Sequence, residues 1–211
     1  MADWVTISSL ATATGTLVLA AATFSAVRSS NRSARVAERS LLAGLRPVLA
    51  PSRFSDEPEK VLFQDMIWFR LAGGHATADF SNDVVFLIVG VRNAGTGMGV
   101  LRGWRVTPRL LIGTHPDMPS PDSFRPQTRD IYIPPGDSGF WQGAMRDPED
   151  PERPAVIEAI KQHQSLTVDM LYGDAEGGQR VITRFALIPI GEDDWLTSVS
   201  RHWNLDRDDP R

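Results

Sequence analysis

DVVFLIVGVRNAGTGMG, residues 83–99, opens with six apolar residues in a row and ends on three glycines. A run that short, rich in β-branched residues and closed by Gly90 and Asn93, reads as a strand with both faces covered. The glycines then decide what kind of protein it belongs to. A dinucleotide-binding turn needs G-x-G-x-x-G opening a helix. Here Gly95, Gly97 and Gly99 fall at every second residue, and VLRGWRV (100–106) continues in strand style. A phosphate-binding P-loop fails as well: Gly90 and Gly95 have its spacing, but Thr96-Gly97 stands where Lys-Ser/Thr is required. The stretch is therefore strand, turn, strand, and the protein is mainly β.

Working outward, the same period recurs. VLFQDMIWFRLA (61–72) reads as a strand or a bent pair, VLRGWRVTPRLLIG (100–113) as a strand interrupted at Pro108, and RDIYIPP (129–135) as a short strand. SLTVDMLYGDAEGGQRVITRFALIPI (165–190) is two strands around the turn residues 173–178. One short helix, AVIEAIKQHQ, follows Pro154. Loops 114–127 and 146–154 are Pro-rich. Six or seven short strands with turn signals between them predict an antiparallel sandwich over residues 47–190.

Before this domain, residues 4–27 carry no charge, a length of 24 that crosses a bilayer core as a helix. MADW lacks the basic start of a cleaved signal peptide, which predicts a retained anchor over residues 1–28. A juxtamembrane helix is expected over 29–46, stopped by Gly44 and Pro47. Only Asp3 precedes the span, whereas Arg28, Arg32, Arg35 and Arg39 follow it, against Glu38 alone. The positive-inside rule predicts an outside N-terminus and a cytoplasmic domain. The four arginines share a helix face suited to anionic lipid head groups, or serve only to set topology. Small residues at Ala11, Thr12, Gly15, Thr16 and Ala20 fall at the spacing that lets two helices pack closely, so a homo-oligomer through the span is one expectation.

The chain has 211 residues, a net charge of −4 and a sequence pI near 5.6, which argues against a nucleic-acid binder. It has no cysteine, which removes disulfides, thiolate nucleophiles and thiolate metal sites together. The four histidines, His75, His115, His163 and His202, show no ligand spacing, so neither metal nor other cofactor is expected.

One tetrapeptide suggests chemistry. Gly136-Asp137-Ser138-Gly139 spells like the nucleophile loop of chymotrypsin-like proteases, but Phe140 and Trp141 follow where glycine belongs, and no His motif precedes it. Pro134-Pro135-Gly136 explains the segment as a turn, Pro setting φ and Gly supplying a positive φ. Ser138 is therefore read as a turn residue rather than a catalytic one. In the tail, 191–211, Trp195, Val199 and Trp203 fall at i, i+4, i+8, which predicts a short amphipathic helix capped by Asp193 or Asp194. Its face would dock on the domain or meet a protein partner.

Two pieces lie in order: VGVRNAGTGMG (89–99) and IYIPPGDSGFW (131–141). Strand–N-x-G-x-G followed by I-x-P-G-[DE]-S and another strand resembles bacterial immunoglobulin-like β-sandwich domains of the CARDB kind. The layout is similar to that of actinobacterial single-pass membrane proteins with one anchor and a soluble β domain. The resemblance implies a fold in which Asn93 and its glycines turn the chain out of a core strand, and in which 165–190 closes the sandwich. It implies no activity. The expected role is a non-enzymatic, membrane-anchored interaction or scaffold protein. The other expectation is an oligomerising membrane effector or sensor with a ligand-binding sandwich.

Overall fold

The computed structural model describes residues 3–111, 117–191 and 194–207, and at residues 4–7, 11, 39, 42 and 43 it describes the backbone alone. His115, Glu192, Asp193 and the first residues of the loop 114–127 lie outside the described residues, as do the side chains of Ala11 and Arg39. The chain divides into two compact units, residues 1–44 and 45–211.

The first unit is one helix, α1 (Trp4–Gly44), 41 residues and thus about 60 Å long. The span and the juxtamembrane stretch lie on this one helix: no Pro or Gly lies between residues 16 and 43 to break it, and it stops at Gly44, just before Pro47. It is long and apolar enough between Ser8 and Glu38 to cross a bilayer. Its threonines explain how so polar a segment remains helical. Thr12, Thr14, Thr16 and Thr23 each donate their hydroxyl to the carbonyl four residues earlier, at 2.8–2.9 Å, so these four hydroxyls need no water.

The second unit is mainly β and antiparallel. Its strands are β1 (Leu49–Pro51), β2 (Glu59–Leu62), β3 (Trp68–Leu71), β4 (His75–Ser81), β5 (Val84–Asn93) and β6 (Gly99–Thr107). After a single 3-10 turn at Pro121–Ser123 come β7 (Arg125–Pro126), β8 (Tyr132–Ile133), β9 (Ser138–Met145), β10 (Leu166–Gly173), β11 (Arg180–Ile190) and β12 (Asp194–Asn204). The helix α2 (Arg153–Lys161) lies between β9 and β10.

The apolar run quoted above forms β5, and it is central. Val91 pairs with Gly139 of β9 and with Pro51 of β1, while Val89 pairs with Trp141 of β9 and with Ala76 of β4. So β9 takes one edge of β5, and β4 and β1 share the other. Its side chains alternate between two cores. Val85, Leu87, Val89 and Val91 enter the main core, and Phe86 and Ile88 face the β2–β3 hairpin across a smaller one. The other half of the sheet runs β6–β10–β11–β12. Val168 and Met170 of β10, Phe185 of β11 and Trp104 of β6 meet the β5 valines in the main core, with Val156, Ala159 and Ile160 of α2 beside them. Each such fully buried side chain contributes about 1.5–3 kcal/mol.

Two seams join the halves. On one side, β12 pairs with β11 along its length and with β4 through Trp195↔Ala76 and Leu196↔His75. On the other, β7 pairs with β6, and the Gln127 amide bridges to β9: Trp141 Nε1 donates to its Oε1 at 3.1 Å, and its Nε2 donates to Gln142 O at 3.0 Å.

The tail corrects an expectation. Residues 194–204 form a strand, not an amphipathic helix. A spacing of four and eight keeps residues on one face of a strand as well as of a helix, and Trp, Thr and Val favour the pleated form. The strand also carries a bulge. Arg184 pairs with Arg201 and Phe185 with Val199, so Ser200 is the extra residue. Facing therefore reverses at Ser200: Trp195 and Val199 point into the main core, and Trp203 points to the opposite face, over Arg184.

Candidate functional site

The two motifs behind the family resemblance meet at one side chain. Asn93 is buried and uses its whole amide: Oδ1 accepts from Val48 N (3.2 Å) and Gly95 N (3.0 Å), and Nδ2 donates to Gly97 O (2.6 Å) and Ile133 O (2.9 Å). Its backbone N–H donates to Asp137 O and its carbonyl accepts from Gly136 N, both at 2.9 Å. Gly136 has φ +81°, the conformation that the Pro-Pro-Gly turn requires. A Cβ on Gly97 would sit 1.6 Å from Leu45 O, so only glycine lets the chain entering the domain pass there.

That entry is held from a second direction. The Arg46 guanidinium donates to Asn204 Oδ1 at 2.9 Å and forms an ion pair with Asp206, whose carboxylate also accepts from Arg180 N. Burial alone would raise the Asp206 carboxyl, but these hydrogen bonds together outweigh it and hold it below its usual value. A depressed folded-state value gives stability that is complete above the unfolded value, near 4, and is lost as pH falls through the folded one. Asp206→Asn should therefore unfold more easily than the wild type at neutral pH, and the gap should close on acidification. Thermal melts across pH 2–7 check this; a gap that widens toward acid contradicts it.

Ser138 does not sit in a catalytic arrangement among the described residues. Its hydroxyl donates to Asp56 Oδ2 at 2.6 Å, and Arg53 N donates to the same oxygen at 2.8 Å. The Ser138 hydroxyl is the largest cause that holds the Asp56 carboxyl low, and a carboxylate so stabilised is a poor proton acceptor. His75, the candidate base, turns its Nδ1 to Gly73 O at 2.7 Å and meets Phe54 edge-on. The Ser138–Asp56 contact ties two turns together.

Comparison with known families, curated proteins and solved structures finds no match to this chain. Function must be read from the surface.

The tail residues expected to meet a partner do not offer themselves. Trp195 and Trp203 are 2% and 4% exposed, so both are spent on the domain, and Val199 packs against its core. In α1, Thr12, Gly15, Thr16 and Ala20 are exposed, as are Arg28, Arg32 and Arg35. Exposed apolar side chains of the β domain include Phe54, Tyr132 and Met118, and two that share one hairpin where the sequence reading placed no site. Trp68 of β3 and Met66 at the hairpin tip are 60% and 72% exposed. Beside them a shallow depression of about 250 Å³ is lined by Leu62, Phe63, Met66, Arg129, Gln142 and Arg146. The signal was present in QDMIWFR: a strand that points Trp68 one way and Phe69 the other has apolar residues on both faces, although only one face can meet the core.

Proposed function

We propose that this chain is a single-pass membrane-anchored, non-enzymatic interaction protein that holds an immunoglobulin-like β-sandwich at the cytoplasmic face. The observation that carries this reading is the run of 24 uncharged residues at the start of one continuous helix, closed by Arg28, Arg32, Arg35 and Arg39. The strand pairing supports the immunoglobulin-like assignment. β1–β5–β9 and β6–β10–β11 pair as the A–B–E and C–F–G strands of such domains do, and Trp104 is buried on the strand equivalent to C. β4, β12 and the β2–β3 hairpin are additions to that plan. The role as a scaffold for a protein partner is supported by exposed Met118 within the Pro-rich loop and Leu110 shortly before it.

A reporter enzyme active only outside the cytoplasm, fused after Arg211, should stay silent, whereas the same reporter fused before Met1 should be active. A signal from the C-terminal fusion would reverse the topology and remove the cytoplasmic scaffold with it.

A further inference from the structure

The β2–β3 hairpin has two unlike faces. Register pairs Val61 with Phe69 and Leu62 with Trp68, and period two sends these pairs to opposite sides. The inner side is fixed: Phe63, Phe69 and Phe86 stack at centroid distances of 4.8–5.7 Å, and Val61 and Leu71 are buried with them. The outer side presents Lys60, Leu62, Trp68 and Arg70, with Met66 at the tip held at φ 60°. Among the described residues both Trp68 and Met66 stay mostly exposed. The acid at the tip, Asp65, is neutralised by three hydrogen bonds from Arg146, at 2.6–3.3 Å.

Charge sharpens the contrast. Residues 1–44 contribute four arginines and two acids to a chain of net charge −4, so the β domain carries −6. On a domain that anionic surfaces repel, Lys60 and Arg70 flank the exposed Trp and Met. A rigid hairpin with one Trp, one Met and two flanking cations is a fit for the head-group layer of an anionic bilayer. Indole settles at that depth, aliphatic side chains reach just below it, and Lys and Arg meet the phosphates. A standard protein interface takes about 20 residues a side, far more than this face offers.

We propose that the outer face of the β2–β3 hairpin is a second membrane contact, which seats Met66 and Trp68 in an anionic lipid surface with Lys60 and Arg70 on its phosphates. This rests on the anchored reading above, because α1 is what keeps the domain within reach of a bilayer.

The test uses the full-length chain, whose lack of cysteine allows one dye to be placed at will. Met66→Cys, labelled with a polarity-sensitive dye, is reconstituted in vesicles of phosphatidylcholine alone and of phosphatidylcholine with phosphatidylserine. The label should report an apolar setting only on the second. Lys60→Gln with Arg70→Gln should shift its apolar-to-aqueous ratio by about 25-fold, about fivefold for each charge removed. A label at Leu17→Cys, inside α1, reports the anchor separately. If Leu17 is embedded while Met66 stays aqueous on both vesicles, the hairpin proposal is overturned, the anchor stands, and the face is left for a protein ligand. If Met66 is equally apolar on both vesicles, the anionic assignment is overturned. If Leu17 itself is aqueous, the anchored reading fails and the proposal fails with it.

Discussion

Asp169→Ala is expected to destabilise the β domain by about 3–5 kcal/mol, a large share of the 5–15 kcal/mol that holds a typical domain together. Asp169 and Arg184 are 1% and 4% exposed, and they pair across β10 and β11 through two hydrogen bonds, Arg184 Nε to Oδ1 at 2.7 Å and Nη2 to Oδ2 at 3.0 Å. They lie in a row with Arg105 and Arg201, so that three guanidinium groups cross the sheet with a single carboxylate between them. Removing the carboxylate leaves a buried guanidinium without its counter-charge and next in register to Arg201. The indole of Trp203, 4.9 Å from the Arg184 guanidinium, supplies only a partial substitute. Near-UV circular dichroism of the buried Trp104–Trp141 pair, followed through a thermal melt in detergent, should show a midpoint lower by about 10 °C or more. The double change Asp169→Leu, Arg184→Met should recover most of the loss, because an apolar pair of similar volume brings no buried charge. A single variant as stable as the wild type would show that the row is not sealed from water.

Asn93→Ala should cost a comparable amount, about 3–5 kcal/mol, by another route. It removes no charge and little volume. It strips partners from two N–H groups and two carbonyls at the point where β1, β5, β6 and the turn before β9 converge, and each such group left unmet costs about 1–3 kcal/mol where water has no access. The isostere separates this from a packing effect. Asn93→Asp keeps the shape and can still accept from Val48 and Gly95, but it has no donor for Gly97 O and Ile133 O, and sets a carboxylate against both. It should therefore rescue nothing. If Asp restored stability, the donor half of the amide would be dispensable.

How much of this was legible in the residues depends on how local each signal is. β5 could be read because its neighbours in sequence say enough: six apolar residues in a row have no other use in a short segment. β10 and β11 could be read because their turn is written between them, and the paired register Gly173↔Arg180 falls where that turn predicts. α1 was legible as a helix, stopped by Gly44 and Pro47. β4 was missed because HATADFS has neither a clean alternation nor a strong apolar run; it is a strand because β5 and β12 flank it. β12 was misread because a spacing of four suits both periods, and what settles the matter, a bulge at Ser200 and a partner on each side, lies in other parts of the chain. The hairpin surface had a local signal, an apolar residue on each face of one strand, but which face the core would claim depends on Phe86 and Ile88, which lie elsewhere in the sequence.

β12 also sets the order in which the molecule can be completed. It is the last strand among the described residues, yet it joins β11 to β4 and carries two of the buried tryptophans. Synthesis runs from the other end, so both helices and the other described strands emerge while the edges of β4 and β11 still lack their neighbour. Through that interval each nascent copy presents two open edges, through which neighbouring copies can pair. The domain closes to its own kind only when residue 204 is free, which makes the speed of that final strand addition, more than the strength of any single contact, the quantity that decides how many copies mature alone.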